Sequence, residues 1–206
     1  MVDLLSTEIP VQCPGMPSAK KTGPRERLVA STQRLTSSQG VGVGVDAILS
    51  DADVARRSLY QHFGGKDGLI AAALEDSART DEAKYRAALE SGGTDPRRRV
   101  LAAFDALDKT ISSPSFNGCR YVAAEHALTD RNHPAHAITR AYTERLHALF
   151  ETELVNIGHP DPASAAEQLL VLIDGAMVVG VIRPGSHPAR AVRPLVEHIL
   201  DESRAS

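Results

Sequence analysis

Aromatic residues are scarce in this sequence. They make up 4% of its 206 residues, and tryptophan is absent. Hydrophobic residues still reach 42%, so the core is expected to be aliphatic, which favours packed helices over a β-sandwich. A charged fraction of 24% beside that hydrophobic content indicates a folded chain, and the length suits one large domain or two small ones.

Cysteines and recognisable catalytic motifs are also lacking. The two cysteines, Cys13 and Cys119, are too few for a disulfide framework or a cysteine-based zinc site. The sequence contains no GxSxG, HExxH or Walker motif, so we do not expect an enzyme. Residues 40–44 alternate glycine with valine, but they lack the spacing and the preceding strand of a nucleotide-binding loop, and an interhelical loop is preferred. We expect neither a metal ion nor another cofactor.

Long hydrophobic runs are missing as well. The longest, residues 169–173 and 176–182, are separated by Asp174 and Gly175, and each is far shorter than the roughly 20 residues that span a bilayer. The N-terminal segment carries acidic residues where a secretory signal would be basic and then apolar. We therefore expect no membrane segment and a cytoplasmic location.

Charge is unevenly distributed along the chain. The net charge is −3, yet residues 20–70 hold eight lysines and arginines against five acidic residues, a local charge of +3. The rest of the chain is acidic. A basic first quarter on an acidic body predicts that a polyanion binds at one end only.

Hydrophobic periodicity predicts helices throughout the chain. Prolines suited to the first turn of a helix and glycines suited to its end separate about nine helical segments, and no stretch has the alternation of a convincing strand. The predicted fold class is all-α. We expect a disordered extension over residues 1–21, an N-terminal three-helix domain over residues 22–74, and a larger helical domain over residues 75–206.

Residues 45–63 have the pattern of a helix-turn-helix. Two short helical segments flank a tight connection at Ala52-Asp53-Val54. Their predicted shared core consists of Ile48, Leu49, Val54 and Leu59. The polar and aromatic residues of the second segment would divide between the DNA groove, the phosphates and packing, and they are Arg56, Arg57, Ser58, Tyr60, Gln61 and His62.

The stretch VDAILSDADVARRSLYQHFGGKDGLIAAAL closely resembles the DNA-binding segment of the tetracycline-repressor (TetR) family of bacterial regulators. Most of the likeness lies in the spacing Leu59-Tyr60-x-His62-Phe63-x-x-Lys66-x-x-Leu69, and it covers residues 24–74. The resemblance implies a homodimeric, sequence-specific transcriptional regulator of double-stranded palindromic DNA. It also implies a repressor that a small-molecule effector releases from its operator.

The same resemblance implies roles for individual residues. Tyr60 and Lys66 take positions that contact phosphates, whereas Arg57, Ser58 and Gln61 face base edges. Arg57 suits a bidentate contact with guanine, and Arg56 is expected to meet a phosphate. His62 and Phe63 are expected to pack. The predicted DNA-binding residues are Lys20, Lys21, Arg56, Arg57, Ser58, Tyr60, Gln61 and Lys66.

Several positions depart from the family pattern, including Asp53, Ala55, a Gly44 that replaces another cap, and Leu35-Thr36, where the family prefers an aromatic residue. Asp53 stands in the turn where the family usually has glycine, and aspartate is among the residues that tolerate a positive φ. Ala55 replaces the usual serine or threonine cap of the second helix, which removes about 1 kcal/mol of helix support. We expect a DNA-binding domain of low stability that keeps its function.

The larger domain offers candidates for two further sites. Side chains that would line an effector pocket, or serve equally well as plain core, are Phe104, Leu107, Phe116, Tyr121 and Tyr142. A helix from Asp161 to Ile182 is apolar on almost every side, which predicts that a partner subunit covers part of it and of the last helix. The predicted interface residues are Leu169, Leu172, Ile173, Val192, Leu195 and Ile199.

Other interpretations stay open from the residues alone. The chain is alternatively an all-α adaptor, or a regulator that responds to redox state or to a metal. Cys119 would serve the redox role beside Arg120, although a plain core role is favoured. The histidines that permit a metal site are His126, His133, His136, His187 and His198, with no cysteine to complete it.

Overall fold

The computed structural model describes residues 22–202, which form ten helices and no strand. The helices are α1 (Pro24–Gln39), α2 (Val45–Ala52), α3 (Arg56–Phe63), α4 (Lys66–Ser91), α5 (Pro96–Ile111), α6 (Arg120–Ala127), α7 (Ala135–Ile157), α8 (Pro162–Ile182), α9 (Pro188–Ala191) and α10 (Arg193–Asp201). The predicted all-α fold is confirmed. The count exceeds nine because the four-residue α9 precedes the last helix. The predicted extension, with Lys20 and Lys21, lies outside the described residues.

Helix boundaries follow the prolines and glycines of the sequence. Pro24, Pro96 and Pro162 each occupy the start of a helix, where a missing N–H costs nothing. Gly64 ends α3 in the left-handed conformation, with φ 73°, and its N–H donates to the carbonyl of Tyr60. Because glycine adopts this conformation freely, the chain begins α4 only two residues later.

Two hydrophobic cores share one helix. The N-terminal core consists of Leu28, Val29, Val43, Ile48, Leu49, Ala52, Leu59, Leu69 and Ala73. The larger body core is built from α4 to α10. Helix α4 supplies Leu69 and Ala73 to the first core and Ile70 and Leu74 to the second. A displacement of α4 therefore changes the packing of both cores. We propose a domain boundary at residue 74, within this continuous helix.

Helix α8 is the most apolar element of the described chain. Contrary to the sequence-based expectation, it is long and apolar enough to cross a membrane by length and composition, with a mean hydropathy of 1.8. Leu169, Ile173 and Ala176 nevertheless lie in the body core, where α8 packs against α7. A core helix of a soluble protein meets the same criterion, so this property does not indicate a membrane.

Candidate DNA-binding site and effector cavity

The N-terminal core holds the helix-turn-helix together. Leu59 of α3 is buried in the same core as Ile48 and Leu49 of α2. Asp53 occupies the turn between them in the left-handed conformation, with φ 51°, as expected for the residue that replaces glycine. Ala55 makes no side-chain cap, also as expected. Packing therefore sets the orientation of α3 without help from a capped N-terminus.

The outer face of α3 carries the predicted DNA-contacting side chains. Arg57, Tyr60 and Gln61 are exposed, while Ser58 and Lys66 are half-buried. Tyr60 is 57% exposed, so its ring and hydroxyl are accessible to DNA. Within residues 22–202, Arg57 forms no hydrogen bond or ion pair, so its guanidinium donors are available.

Three acidic residues of α2 and the following turn are each paired with an arginine of the N-terminal three-helix domain. The pairs are Asp46 with Arg56, Asp51 with Arg34, and Asp53 with Arg27. A hydrogen bond from Ser31 and the pairing with Arg34 hold the pKa of the Asp51 carboxyl below its usual value. These pairings neutralise carboxylates near the expected DNA surface. They join residues far apart in sequence and were not predicted.

The junction between α3 and α4 is exceptionally close. A Cβ on Gly68 would lie 2.0 Å from the carbonyl oxygen of Phe63, so only glycine fits this position. Phe63 is half-buried beneath the guanidinium of Arg25, which lies 5.7 Å from the ring centroid. His62 is exposed and only approaches Phe63 edge-on, so its predicted packing role is wrong. This role of Gly68 was not predicted, although a glycine inside a helical pattern is a signal of such a close approach.

A cavity of about 730 Å³ lies between α1, α4, α5, α6, α7 and α8. Four of the five predicted pocket residues line it: Leu107, Phe116, Tyr121 and Tyr142. Phe104 does not, and this prediction is wrong. Its buried ring faces Phe150 in the body core, with the two centroids 6.4 Å apart.

The cavity also contains an aromatic residue that the prediction missed. Tyr85 reaches it from α4, where it follows the same apolar stripe as Leu74 and Leu89. Tyr121 and Tyr142 stack with centroids 3.9 Å apart. Burial raises the pKa of all three tyrosine hydroxyls, so these groups stay neutral. The surface of the wall is thus mostly apolar, and its polar groups include three neutral tyrosine hydroxyls.

A chain of hydrogen bonds along the cavity wall connects α1 to α6. Gln33 of α1 donates from Nε2 to Oγ of Ser77 in α4 over 3.1 Å. Arg120 of α6 donates from Nη1 to the same oxygen over 2.9 Å, and its Nε lies 3.5 Å from Asp81. Tyr121 donates its hydroxyl to Asp81 over 2.9 Å. We name this set the wall network: Gln33, Ser77, Asp81, Arg120 and Tyr121.

The structure gives no support to a redox or metal-responsive site. Cys119 is half-buried, and burial raises the pKa of its thiol, which opposes formation of a reactive thiolate. Within the described residues, no group of three or more histidine, cysteine or acidic side chains is placed to hold a metal ion. His133 instead lies 3.5 Å from Asp67, at the start of α4.

The exposed apolar surface differs from the predicted dimer interface. Leu169, Ile173 and Ile199 are buried within the protomer, because their side of α8 and α10 packs onto the body core, so these three predictions are wrong. Leu172 and Val192 are only partly buried against that core, while Leu195 is exposed. The exposed large apolar residues of α8 and α10 are Val171, Val178, Val179, Val181, Ile182 and Leu195.

Comparison with known proteins agrees with this architecture. Residues 28–73 match the family described as "Bacterial regulatory proteins, tetR family", and residues 126–202 match "Tetracyclin repressor-like, C-terminal domain". A TetR-family transcriptional regulator from Streptomyces coelicolor is 30% identical, with a TM-score of 0.80, over 87% of this chain and 95% of that one. The chain belongs to the TetR family. It is a helix-turn-helix transcriptional regulator.

Other TetR proteins extend the comparison. A structure described as a TetR-type regulator from Streptomyces avermitilis is 35% identical, with a TM-score of 0.80, and covers 89% of this chain and 99% of that one. The transcriptional regulator YjdC of Escherichia coli is 19% identical over 87% of this chain and 95% of its own length. These relatives are regulators rather than enzymes, and TetR-family regulators bind DNA as dimers with small-molecule effectors.

Proposed function

We propose that this TetR regulator is a cytoplasmic repressor that binds a palindromic operator as a homodimer and leaves it when a small, largely apolar effector fills the cavity. One observation carries the proposal: the cavity is walled by the N-terminal part as well as by the body. Gln33, Thr36 and Val41 line it beside residues of α4 to α8. An occupant therefore acts directly on the helix that braces the helix-turn-helix.

In the proposed DNA complex, α3 enters the major groove. Arg57, Ser58 and Gln61 contact base edges, since their side chains lie on the outer part of α3. Tyr60 and Lys66 contact phosphates, and Lys66 is the first residue of α4, where free N–H groups also favour an anion. Arg56 reaches a phosphate by exchanging its partner Asp46 for DNA.

Effector binding acts through the wall network. A ligand that displaces Arg120 from Ser77 breaks the connection from α6 through Ser77 to Gln33. One that displaces Tyr121 from Asp81 breaks a second link between α6 and α4. Because α4 contributes to both cores, it then shifts relative to α1 and carries Lys66 with it. The effector must bind the conformation that does not bind DNA more tightly than the DNA-binding conformation by about 5.5 kcal/mol. That preference changes the population ratio of the two conformations from 1:99 to 99:1.

Selection of binding sites from random duplex DNA tests the proposed function. The purified full-length protein is expected to enrich an inverted repeat whose half-sites are about one duplex turn apart, because a two-fold dimer presents two copies of α3. Ligands found by their stabilisation of the protein should then weaken operator binding. Operator should weaken ligand binding by the same factor. Enrichment of no motif, or ligand affinity that is identical with and without operator, would contradict the proposal.

Arg57→Ala and Lys66→Ala are expected to weaken operator binding in different ways. Arg57→Ala should relax preference at one base position of each half-site by about 1–3 kcal/mol, since it removes a base contact. Lys66→Ala should weaken all sequences alike and make the plot of log affinity against log salt shallower by about 1, since it removes a phosphate contact. Binding isotherms over a salt series, with site selection for each variant, measure both effects. An unchanged motif for Arg57→Ala would exclude it as a base-contacting residue.

A further inference from the structure

Some charged side chains of the cavity wall have an ion-pair or hydrogen-bond partner, and one does not. Its charged side chains are Asp81, Lys84, Arg120 and Asp174. Asp81 receives the hydroxyl of Tyr121 and pairs with Lys84 at 3.1 Å and with Arg120 at 3.5 Å. Lys84 is 70% exposed on its side chain, so water screens its charge. The two positive groups therefore already have an acceptor, a carboxylate of the same wall.

Asp174 is the charged group of this wall that has no partner. It makes no hydrogen bond or ion pair with any residue in the described range 22–202. Asp174 is exposed to water in the isolated protomer, but partial burial still raises the pKa of its carboxyl, and the nearby charge of Glu167 raises it further. Within residues 22–202, no positive group is placed to offset either effect. An acidic side chain that lacks a counter-ion on an apolar wall is an attractive position for a cation.

Aromatic rings line the same cavity. Tyr85, Phe116, Tyr121 and Tyr142 line it, which is half of the eight tyrosines and phenylalanines in the sequence. Asp174 of α8 lines the same cavity as Tyr85 of α4 and Tyr142 of α7. In the described residues, neither hydroxyl forms a hydrogen bond within the protomer. Ring faces attract cations, and the free hydroxyls accept hydrogen bonds from a charged donor.

We propose that the cavity takes a cationic amphipathic ligand, an apolar body that carries a protonated amine or a quaternary ammonium, with Asp174 as its counter-ion and the tyrosines as its aromatic cage. This inference rests on the proposed function and specifies the class of its effector. The apolar body lies against Leu107, Ile173 and Met177. The positive group lies between Asp174 and the rings of Tyr85 and Tyr142.

The position of Asp174 on α8 means that dimer formation should strengthen the binding of a cation. The residue lies between Ile173, which faces the body core, and the exposed Val171 and Val178. A partner subunit that covers Val171 and Val178 removes water from beside the carboxylate. Attraction between Asp174 and a bound cation strengthens as water is removed, so the intact dimer is the form that should bind.

Three fluorescent probes of nearly the same shape test the charge preference. They are dimethylaminostyryl-N-methylpyridinium, which is cationic, dimethylaminostyrylpyridine, which is neutral in mildly alkaline buffer, and dimethylaminostilbene carboxylate, which is anionic. Titration of the full-length dimer should give an affinity for the cation about tenfold or more above that for the neutral probe. The anion should bind most weakly. Equal affinities, or tighter binding of the anion, would overturn the proposal.

The variant Asp174→Asn tests whether Asp174 causes the preference for the cationic probe over the neutral probe. The variant should lower affinity for the cationic probe to about that of the neutral probe and leave the neutral probe unchanged. Glu144→Gln removes the same charge from an exposed position outside the cavity wall and should leave all three affinities unaltered. Sedimentation should show both variants as dimers. If Asp174→Asn instead dissociates the dimer, or keeps the full preference for the cation, Asp174 is not the counter-ion.

Operator release is measured separately with the same probes. The cationic probe should release operator from the unaltered protein at concentrations that saturate the cavity. Tight binding of the cation without release would contradict the effector step of the proposed function while upholding the charge preference of the cavity. If the neutral and cationic probes bind with equal affinity and both release operator at equal occupancy, the proposed function is upheld. The proposed charge preference of the cavity is then overturned.

Discussion

Val178→Arg is expected to convert the dimer into monomers and to lower operator affinity by about 10²- to 10⁴-fold. Val178 lies with Val171 and Ile182 on one exposed apolar face of α8. In a two-fold interface each substitution occurs twice, so two guanidinium groups lose water without a partner. A monomer then contacts one half-site, and the gain from simultaneous binding of two half-sites is lost. Light scattering and operator titration measure the two effects.

Val155→Arg is the matched control for this prediction. Val155 is 58% exposed, compared with 47% for Val178, but it lies on α7 rather than on the exposed face of α8. The control should remain a dimer with unaltered operator affinity. If Val178→Arg stays dimeric at micromolar concentration, the exposed face of α8 is not the interface.

Gly68→Ala should abolish operator binding because it forces α3 away from α4. The added Cβ would meet the backbone carbonyl of Phe63 at 2.0 Å, and backbone cannot yield as a side-chain tip does. Alanine favours a helix over glycine by about 1 kcal/mol, which alone would stabilise α4. Overpacking costs about 1–3 kcal/mol and more where backbone must move, so destabilisation should prevail. Hydrogen exchange should accelerate in α1 to α3 while the body stays protected.

Gly42→Ala provides the comparison within the same part of the chain. A Cβ on Gly42 meets nothing within 4 Å, and its backbone does not require a positive φ. Operator binding and exchange rates should match those of the unaltered protein. A rise in thermal stability of Gly68→Ala with operator binding intact would show that α3 and α4 are less closely packed than the structure indicates.

Local features of the fold and of the DNA-binding face could be predicted from neighbouring residues. Gly64 ends α3, Pro162 opens α8, and Asp53 adopts the left-handed turn, because each outcome depends on backbone preferences within a few residues. The outward position of Arg57 and Tyr60 follows in the same way from Leu59, since a buried residue on a helix defines the opposite, exposed face.

Positions that depend on contacts between distant helices could not be predicted in this way. Helix α8 is apolar on nearly every side, so its periodicity does not distinguish Ile173, which is buried, from Val178, which is exposed. Phe104 and Tyr85 both approach the ring of Phe150, yet only Tyr85 also lines the cavity. Helix propensity and capping act within one chain segment, whereas the face that a helix buries is chosen by the shape and charge of the helices around it.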